Sequence, residues 1–337
     1  MIADPPSAPP PPIPPPPSGG IEYFAPLERA WERMKGQLFR PFDLGKWFVL
    51  GFSCWLAKLF DGGFGGGFNV PTNLGDWGSD DAEAATRTLA AGAPWESWDV
   101  DRWLAPGVLG CLGGCILLVV FVLVPLVLWL KSRGEFMFLD NVVHGRAEVV
   151  RPWHEYRREG NSLFLWQLGF LVVTLIATLI VLLPGGVLIF AELSEDSDSV
   201  PVAGLLVLVL PLIPWAVLLA YIGFFLRAFV VPVMYRERLT ATAAWRVFLP
   251  LFRARWGSFL LIGLLVAGLS LAVGIGVLVL GCFTCCIAWI VIALPYVGTV
   301  AMLPVWVTYR AYTLEFLAQL GARFDLFGAA APQPPPA

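Results

Sequence analysis

The chain has 337 residues, 58% of them hydrophobic and 14% charged, with a formal charge of −3. A soluble domain is about 25% charged and about 45–50% apolar even with glycine counted, and here 34 glycines come on top of the apolar share. The composition excludes a disordered chain and argues against a soluble globular enzyme, leaving a polytopic membrane protein.

Half of residues 1–20 are proline, with no Lys or Arg among them. A secretory signal needs a basic start and an apolar stretch, and this segment has neither. Residues 1–22 are expected to be a disordered, solvated polyproline II tail on the cytoplasmic side, and residues 324–337 a similar one. Between them, residues 23–323 form the membrane domain.

The domain opens with Leu27, Ala30, Trp31, Met34 and Leu38, interleaved with Glu28, Arg29, Glu32, Arg33 and Lys35. That spacing predicts an amphipathic helix ended by Pro41, lying in the membrane interface. A spanning helix needs about 20 mostly apolar residues, and six segments qualify: 44–60, 105–130, 162–190, 201–226, 258–280 and 285–308. The last two come from Ser258–Tyr309, which carries no charge and is divided by a turn at Gly281-Cys282-Phe283-Thr284. Backbone groups in hydrocarbon must bond within their own segment, so the spans are read as helices and the fold as all-α.

Basic residues set the orientation. Arg29, Arg33, Lys35, Arg40 and Lys46 precede the first span. Lys131, Arg133, Arg146, Arg151, Arg157 and Arg158 follow the second, Arg236, Arg238, Arg246, Arg253 and Arg255 the fourth, and Arg310 and Arg323 the sixth. The opposite side holds Arg87 and Arg102 against eight acids in Asp61–Trp103, and the acidic loop Ala191–Val200. The expected topology is six spans in the plasma (inner) membrane, with both termini cytoplasmic.

The spans pair into three repeated hairpins, each led by a cytoplasmic amphipathic segment. Arg40-Pro41-Phe42, Arg151-Pro152-Trp153 and Leu249-Pro250-Leu251 lead in; Arg133-Gly134-Glu135, Arg227-Ala228-Phe229 and Arg310-Ala311-Tyr312 lead out. In that register Arg133, Arg227 and Arg310 are expected to be interface anchors whose long side chains snorkel. Taken alone, Arg227 would be an intramembrane charge and a site candidate.

Val231-Pro232-Val233-Met234, Arg236-Glu237-Arg238 and then Thr240, Thr242, Ala243, Ala244 and Trp245 before a new span complete this pattern. Over residues 225–265, and more weakly over 131–170, it resembles six-span prokaryotic membrane proteins similar to the membrane domain of glycerophosphodiester phosphodiesterase fusions. The resemblance implies fold and topology. It does not imply the hydrolase activity, because no soluble stretch here is long enough for that barrel domain. Pro41-Phe42-Asp43-Leu44-Gly45-Lys46-Trp47 with Gly62–Gly67 is similar to prokaryotic membrane proteins of no assigned role.

No catalytic constellation stands out. Cys111 and Cys115 sit four apart on one helix face near the outer end of the second span, and Cys282, Cys285 and Cys286 at the outer turn. Such a thiol cluster suits disulfides or a metal; small residues packed between helices explain it equally, since Gly110 and Gly114 overlap the first pair. His144 and His154 lack metal-site spacing. Gly62–Phe68 lacks the Lys-Ser/Thr of a phosphate loop. Trp95–Leu104 mixes aromatics with acids, as an interfacial belt does. No cofactor, metal or nucleic acid is expected. The expected partners are the lipid bilayer, anionic headgroups at the basic loops and a protein partner of unknown identity. The function expected is non-enzymatic membrane organisation or partner and lipid binding. The alternatives are a transporter or channel for a weakly polar solute, disfavoured by spans without Asp or Glu, and an outer-face thiol or metal protein.

Overall fold

A computed structural model of the chain describes residues 21–59, 106–194, 202–284 and 287–330. Among these every regular element is helical, and the one extended feature is an isolated bridge between Phe39 and Phe42. In chain order the elements are α1 (Phe24–Leu38), α2 (Leu44–Ala57), α3 (Pro106–His144), α4 (Val150–Glu155), α5 (Arg157–Ser194) and α6 (Val202–Phe225). A π-helical turn (Leu226–Val230) leads to α7 (Val231–Glu237), α8 (Ala241–Ala254) and α9 (Trp256–Phe283). Then come α10 (Ile287–Ala293), α11 (Pro295–Ala301), α12 (Leu303–Ala318), a 3-10 turn (Ala322–Phe324) and α13 (Leu326–Ala330).

Proline position explains which segments stay whole. Pro125, Pro184, Pro211 and Pro214 lie inside α3, α5 and α6 without ending them, a tolerance typical of helices in lipid. Pro295 and Pro304 do break the chain. A proline ring pushes the preceding residue out of the helical region, and Leu294 sits extended at φ −70°, ψ 118°. The sequence reads 285–308 as one span; the structure distributes it over α10, α11 and the start of α12. Pro232, near the start of α7, has no N–H for the carbonyl four residues back, and the widened turn at Leu226–Val230 lies where that bond is missing.

Among the described residues, three helices are long and apolar enough to cross a membrane: Arg157–Ala191, Ala203–Glu237 and Trp256–Phe283. Only 6%, 0% and 11% of their most apolar windows are buried, and so much open apolar surface would be untenable in water. Residues 44–60 carry a shorter helix, the 14 residues of α2, whose start is capped by Asp43 Oδ1 accepting from Gly45 N at 2.8 Å. Of residues 105–130, those from Pro106 onward lie within α3. At 39 residues α3 is about 58 Å long, roughly twice the hydrocarbon thickness of a bilayer.

The surplus length forms the core. Lys131–Val143 of α3 is buried all round, as are most of Phe225–Tyr235 and Val307–Leu317. A helix buried on every side needs partners on every side. α1 packs along α12 through Ala30, Met34 and Leu38; α4 packs on α3, and α8 on α7 and the π turn. The apolar stripe of α1 therefore rests on protein. Its centre is aromatic: Phe229 stacks on Phe248 at 5.6 Å between centroids, and Phe259 meets Phe229 edge-on at 5.0 Å. Residues 324–330, expected within the terminal tail, join this core because Phe324 and Leu326 are buried in it.

Glycines set the closest crossings. A Cβ on Gly134 would sit 2.5 Å from Ala57 N, so α2 passes against the bare backbone of α3. In the α5–α6 hairpin Gly185 meets Leu208 and Gly204 meets Ile189, the small-residue packing of helices in lipid.

Candidate functional site

Charge gathers where the long helices run into the core. Arg310 of α12 is 7% exposed and donates from Nη2 to Glu135 Oε2 of α3 at 3.3 Å and from Nη1 to the Arg227 carbonyl at 2.6 Å. Arg227 Nε lies 3.9 Å from Glu135 Oε1. Glu135, 5% exposed, is thus the carboxylate between two of the three arginines in the repeated exits. A buried charge is tolerated when paired and hydrogen-bonded.

The third arginine has separate company. Arg133 donates to the Trp153 carbonyl at 2.9 Å and to Asn161 Oδ1 at 3.0 Å, and lies over the rings of Trp129 and Trp153. Trp129 Nε1 donates to the same Asn161 oxygen at 3.2 Å. The structure places Arg133 and Arg310 in the protein interior and leaves Arg227 half-buried.

About two turns beyond Arg133 along α3, Asp140 is 2% exposed. The Tyr235 hydroxyl donates to its Oδ1 at 2.7 Å, and His144 Nδ1 lies 3.1 Å from the same oxygen. Tyr156 stacks on Tyr235 at 4.7 Å, and Arg238 lies over Tyr156 at 4.1 Å. Arg238, in the left-handed region at φ 54°, pairs with Glu155 at 2.6 Å and Glu159 at 3.7 Å. Burial, reinforced by the charge of Asp140, pushes the Tyr156 hydroxyl up to about 12. Neighbouring carboxylates and Tyr156 raise the Arg238 guanidinium against the opposing effect of burial, the largest single contribution. Two further links join distant segments: Arg29 and Arg33 of α1 pair with the buried Glu315 of α12 at 2.9 and 2.6 Å, and Arg323 pairs with Glu237.

Chemically this layer is a fastening. Its carboxylates accept from guanidinium or phenol donors, and the Tyr235 proton is engaged on Asp140. Catalysis by an acid, base or nucleophile asks for a group poised toward a reacting atom, whereas these groups are turned on one another. Sequence reasoning singled out the arginines and missed Glu135, Asp140, Tyr235 and Glu315. The exit register held a signal for Glu135, the carboxylate two places after Arg133.

Cys54 is buried in α2 and Cys282 exposed near the end of α9. Cys111 and Cys115 fall in the first turns of α3, and Cys285 and Cys286 lie outside the described residues, as do Gly62–Phe68 and Trp95–Leu104. Among the described residues no three His, Cys, Asp or Glu side chains form a metal-holding group. His154 is exposed, beside a shallow hollow of about 690 Å³ with Glu148 and Arg151.

The outer face of α8 is different in kind. Ala241, Ala244, Phe248 and Leu251 face the core, while Arg246, Leu249 and Arg253 are exposed on the opposite stripe. Trp256, 62% exposed, follows at the start of α9. The helix contains no Asp or Glu, and no ion pair reaches Arg246 or Arg253 among the described residues.

Long apolar helices fused to a charged helical layer define an all-helical membrane protein. The chain belongs to DUF7544, a family of unknown function whose model matches residues 23–327, from the residue before α1 into α13. No curated protein and no solved structure matches it.

Proposed function

We propose that the chain is a six-span, non-enzymatic plasma-membrane protein with cytoplasmic termini, whose basic helices hold anionic lipid headgroups against its charged layer. The exposed stripe of α8 carries this reading: two arginines seven residues apart share one face, no acid competes with them, and Trp256 provides an interfacial ring beside a membrane-length helix. The likeness to the membrane domain of glycerophosphodiester phosphodiesterase fusions, on the residues quoted above, accords with a membrane role without hydrolysis. Each surface arginine near anionic lipid contributes about 1 kcal/mol. Replacing both, R246Q/R253Q, should therefore cut the preference for phosphatidylglycerol over phosphatidylcholine roughly 30-fold. Competition between the two lipids for the purified full chain in nanodiscs reads this directly, and an unchanged preference refutes it.

One observation favours a second reading, passage of a weakly polar solute. The α10–α12 segment is interrupted at Pro295 and Pro304, and broken helices line solute sites in many transporters. Solute entry into proteoliposomes that is abolished by replacing Pro295 and Pro304 would support it.

A further inference from the structure

An open crevice of about 560 Å³ separates α9 from α1 and α12. Phe24, Leu27 and Trp31 of α1 form its floor, Leu269 and Val273 of α9 one wall, and Val305 of α12 part of the other. The volume lies within the range of small-molecule sites. Thr308, also on the wall, spends its hydroxyl on the Pro304 carbonyl at 2.7 Å. The α9 and α12 walls carry no charged side chain; Glu28 of α1 is the one carboxylate at the crevice, and Tyr309 of α12 adds a phenol to its wall.

The position of α9 makes this space. Its first turns are anchored: Phe259 and Ile262 are fully buried, and a Cβ on Gly263 would lie 2.7 Å from the Tyr221 ring. Beyond Gly263 the helix opens away from α1 and α12 across the crevice, with Leu265 and Val266 still resting in part on the core. Leu265, Val266, Leu269 and Val273, on the side turned to the bundle, are half-buried, whereas Leu264, Leu271 and Ile275 are 62%, 67% and 55% exposed. An apolar wall with nothing against it forfeits dispersion contacts that a filled space would recover.

We propose that this crevice seats an acyl chain of a membrane lipid, wedged between α1, α9 and α12. The inference rests on the reading that α9 crosses the bilayer. The crevice then opens into the same hydrocarbon that bathes Leu264 and Leu271, which makes an acyl chain its occupant rather than a polar solute. Trp31 and Phe24, 49% and 74% exposed, place aromatic rings where the chain meets its headgroup, the usual level for such side chains. α1 thus has two apolar stripes, Ala30–Met34–Leu38 for the protein and Phe24–Leu27–Trp31 for lipid.

Native mass spectrometry of the full chain released from nanodiscs tests this, with phosphatidylglycerol and phosphatidylethanolamine of identical acyl chains as probes. The wild type should retain a lipid of either headgroup. Leu269→Phe with Val273→Phe, which fills the crevice, should lose it while keeping the wild-type melting temperature. Leu264→Phe, on the opposite face of α9, should keep it. Should the double variant fail to fold, Trp31→Ala, which opens the floor, should weaken retention on its own. The proposal is overturned if the filled variant retains the lipid, if Leu264→Phe loses it equally, or if a second copy of the chain replaces it. R246Q/R253Q separates the two readings. Its retained lipid should persist though its anionic preference is gone; loss of all lipid in that variant would mean a headgroup site alone and sink the crevice.

Discussion

Glu135 accepts from Arg310 and lies beside Arg227, with its own side chain and that of Arg310 almost wholly out of water. Removing one partner of such a pair leaves a buried charge uncompensated, which costs about 3–5 kcal/mol. Glu135→Gln should therefore lower stability by that order, read as a fall in melting temperature in detergent. Adding Arg310→Gln should recover part of the loss, since the two sites are coupled; additive losses would show that the pair is not a unit. Tyr156 gives a pH signature. Its hydroxyl is raised from 10.0 to about 12 by burial, so the folded chain keeps a proton that the unfolded chain releases. That contribution is present in full below pH 10 and is lost as pH rises toward 12. Thermal scans across this window should show a shallower decline for Tyr156→Phe than for the wild type; an identical decline counts against it. These residues were poorly legible in the sequence because their partners are far away: Arg310 is 175 positions from Glu135, and Tyr235 is 95 from Asp140. Pattern reading sees neighbours along a helix, and these pairs are made across helices.

At the scale of elements, legibility followed periodicity. The spacing of Leu27, Ala30, Trp31, Met34 and Leu38 marks α1, and Ala30, Met34 and Leu38 are its buried stripe. The spacing points to the membrane interface as the medium for that stripe, yet it rests on α12, because a helix face fit for a bilayer surface fits α12 equally well. Proline was ambiguous for a related reason: Pro211 and Pro214 pass unmarked through α6 while Pro295 ends a helix, and composition does not separate the two cases. Two glycines offer a controlled contrast. Gly134 faces the backbone of α2, and a Cβ there would lie 2.6 Å from Leu56 C. Gly134→Ala should cost about 1–3 kcal/mol, as overpacked sites do. Gly36 in α1 has nothing within 4 Å of its built Cβ. Gly36→Ala should stabilise by about 0.8–1 kcal/mol, the helix propensity difference. Denaturation midpoints of the two variants that move in the same direction would refute the assignment of these glycines.

For the whole molecule, Lys131–Val143 and most of Phe225–Tyr235 and Val307–Leu317 are buried, and α1, α4 and α8 lie against them. The long apolar helices were legible from composition. The length of the buried ends was not, because the sequence reading places Phe136, Met137 and Leu139 in the cytoplasmic segment after the second span, whereas they are buried in the core at the end of α3. The proposed six-span arrangement makes a labelling prediction. With the six native cysteines replaced by alanine, a cysteine at Ser97 should react with an impermeant reagent in intact cells, and one at Arg236 only after permeabilisation. The reverse pattern, or equal reactivity, would overturn the topology.

The pairing of Arg33 with Glu315 spans 282 positions, and this has a consequence for biosynthesis. At about 5–20 residues per second, α1 leaves the ribosome roughly 15–60 s before its partner helix exists. Throughout that interval Ala30, Met34 and Leu38 have no protein to cover them. The newborn α1 must wait on the bilayer surface or under a chaperone, and it comes to rest only when the last helix arrives. A ribosome stalled before residue 303 would leave a chain with its first helix still undocked, already inserted but recognisable to quality-control proteases as unfinished.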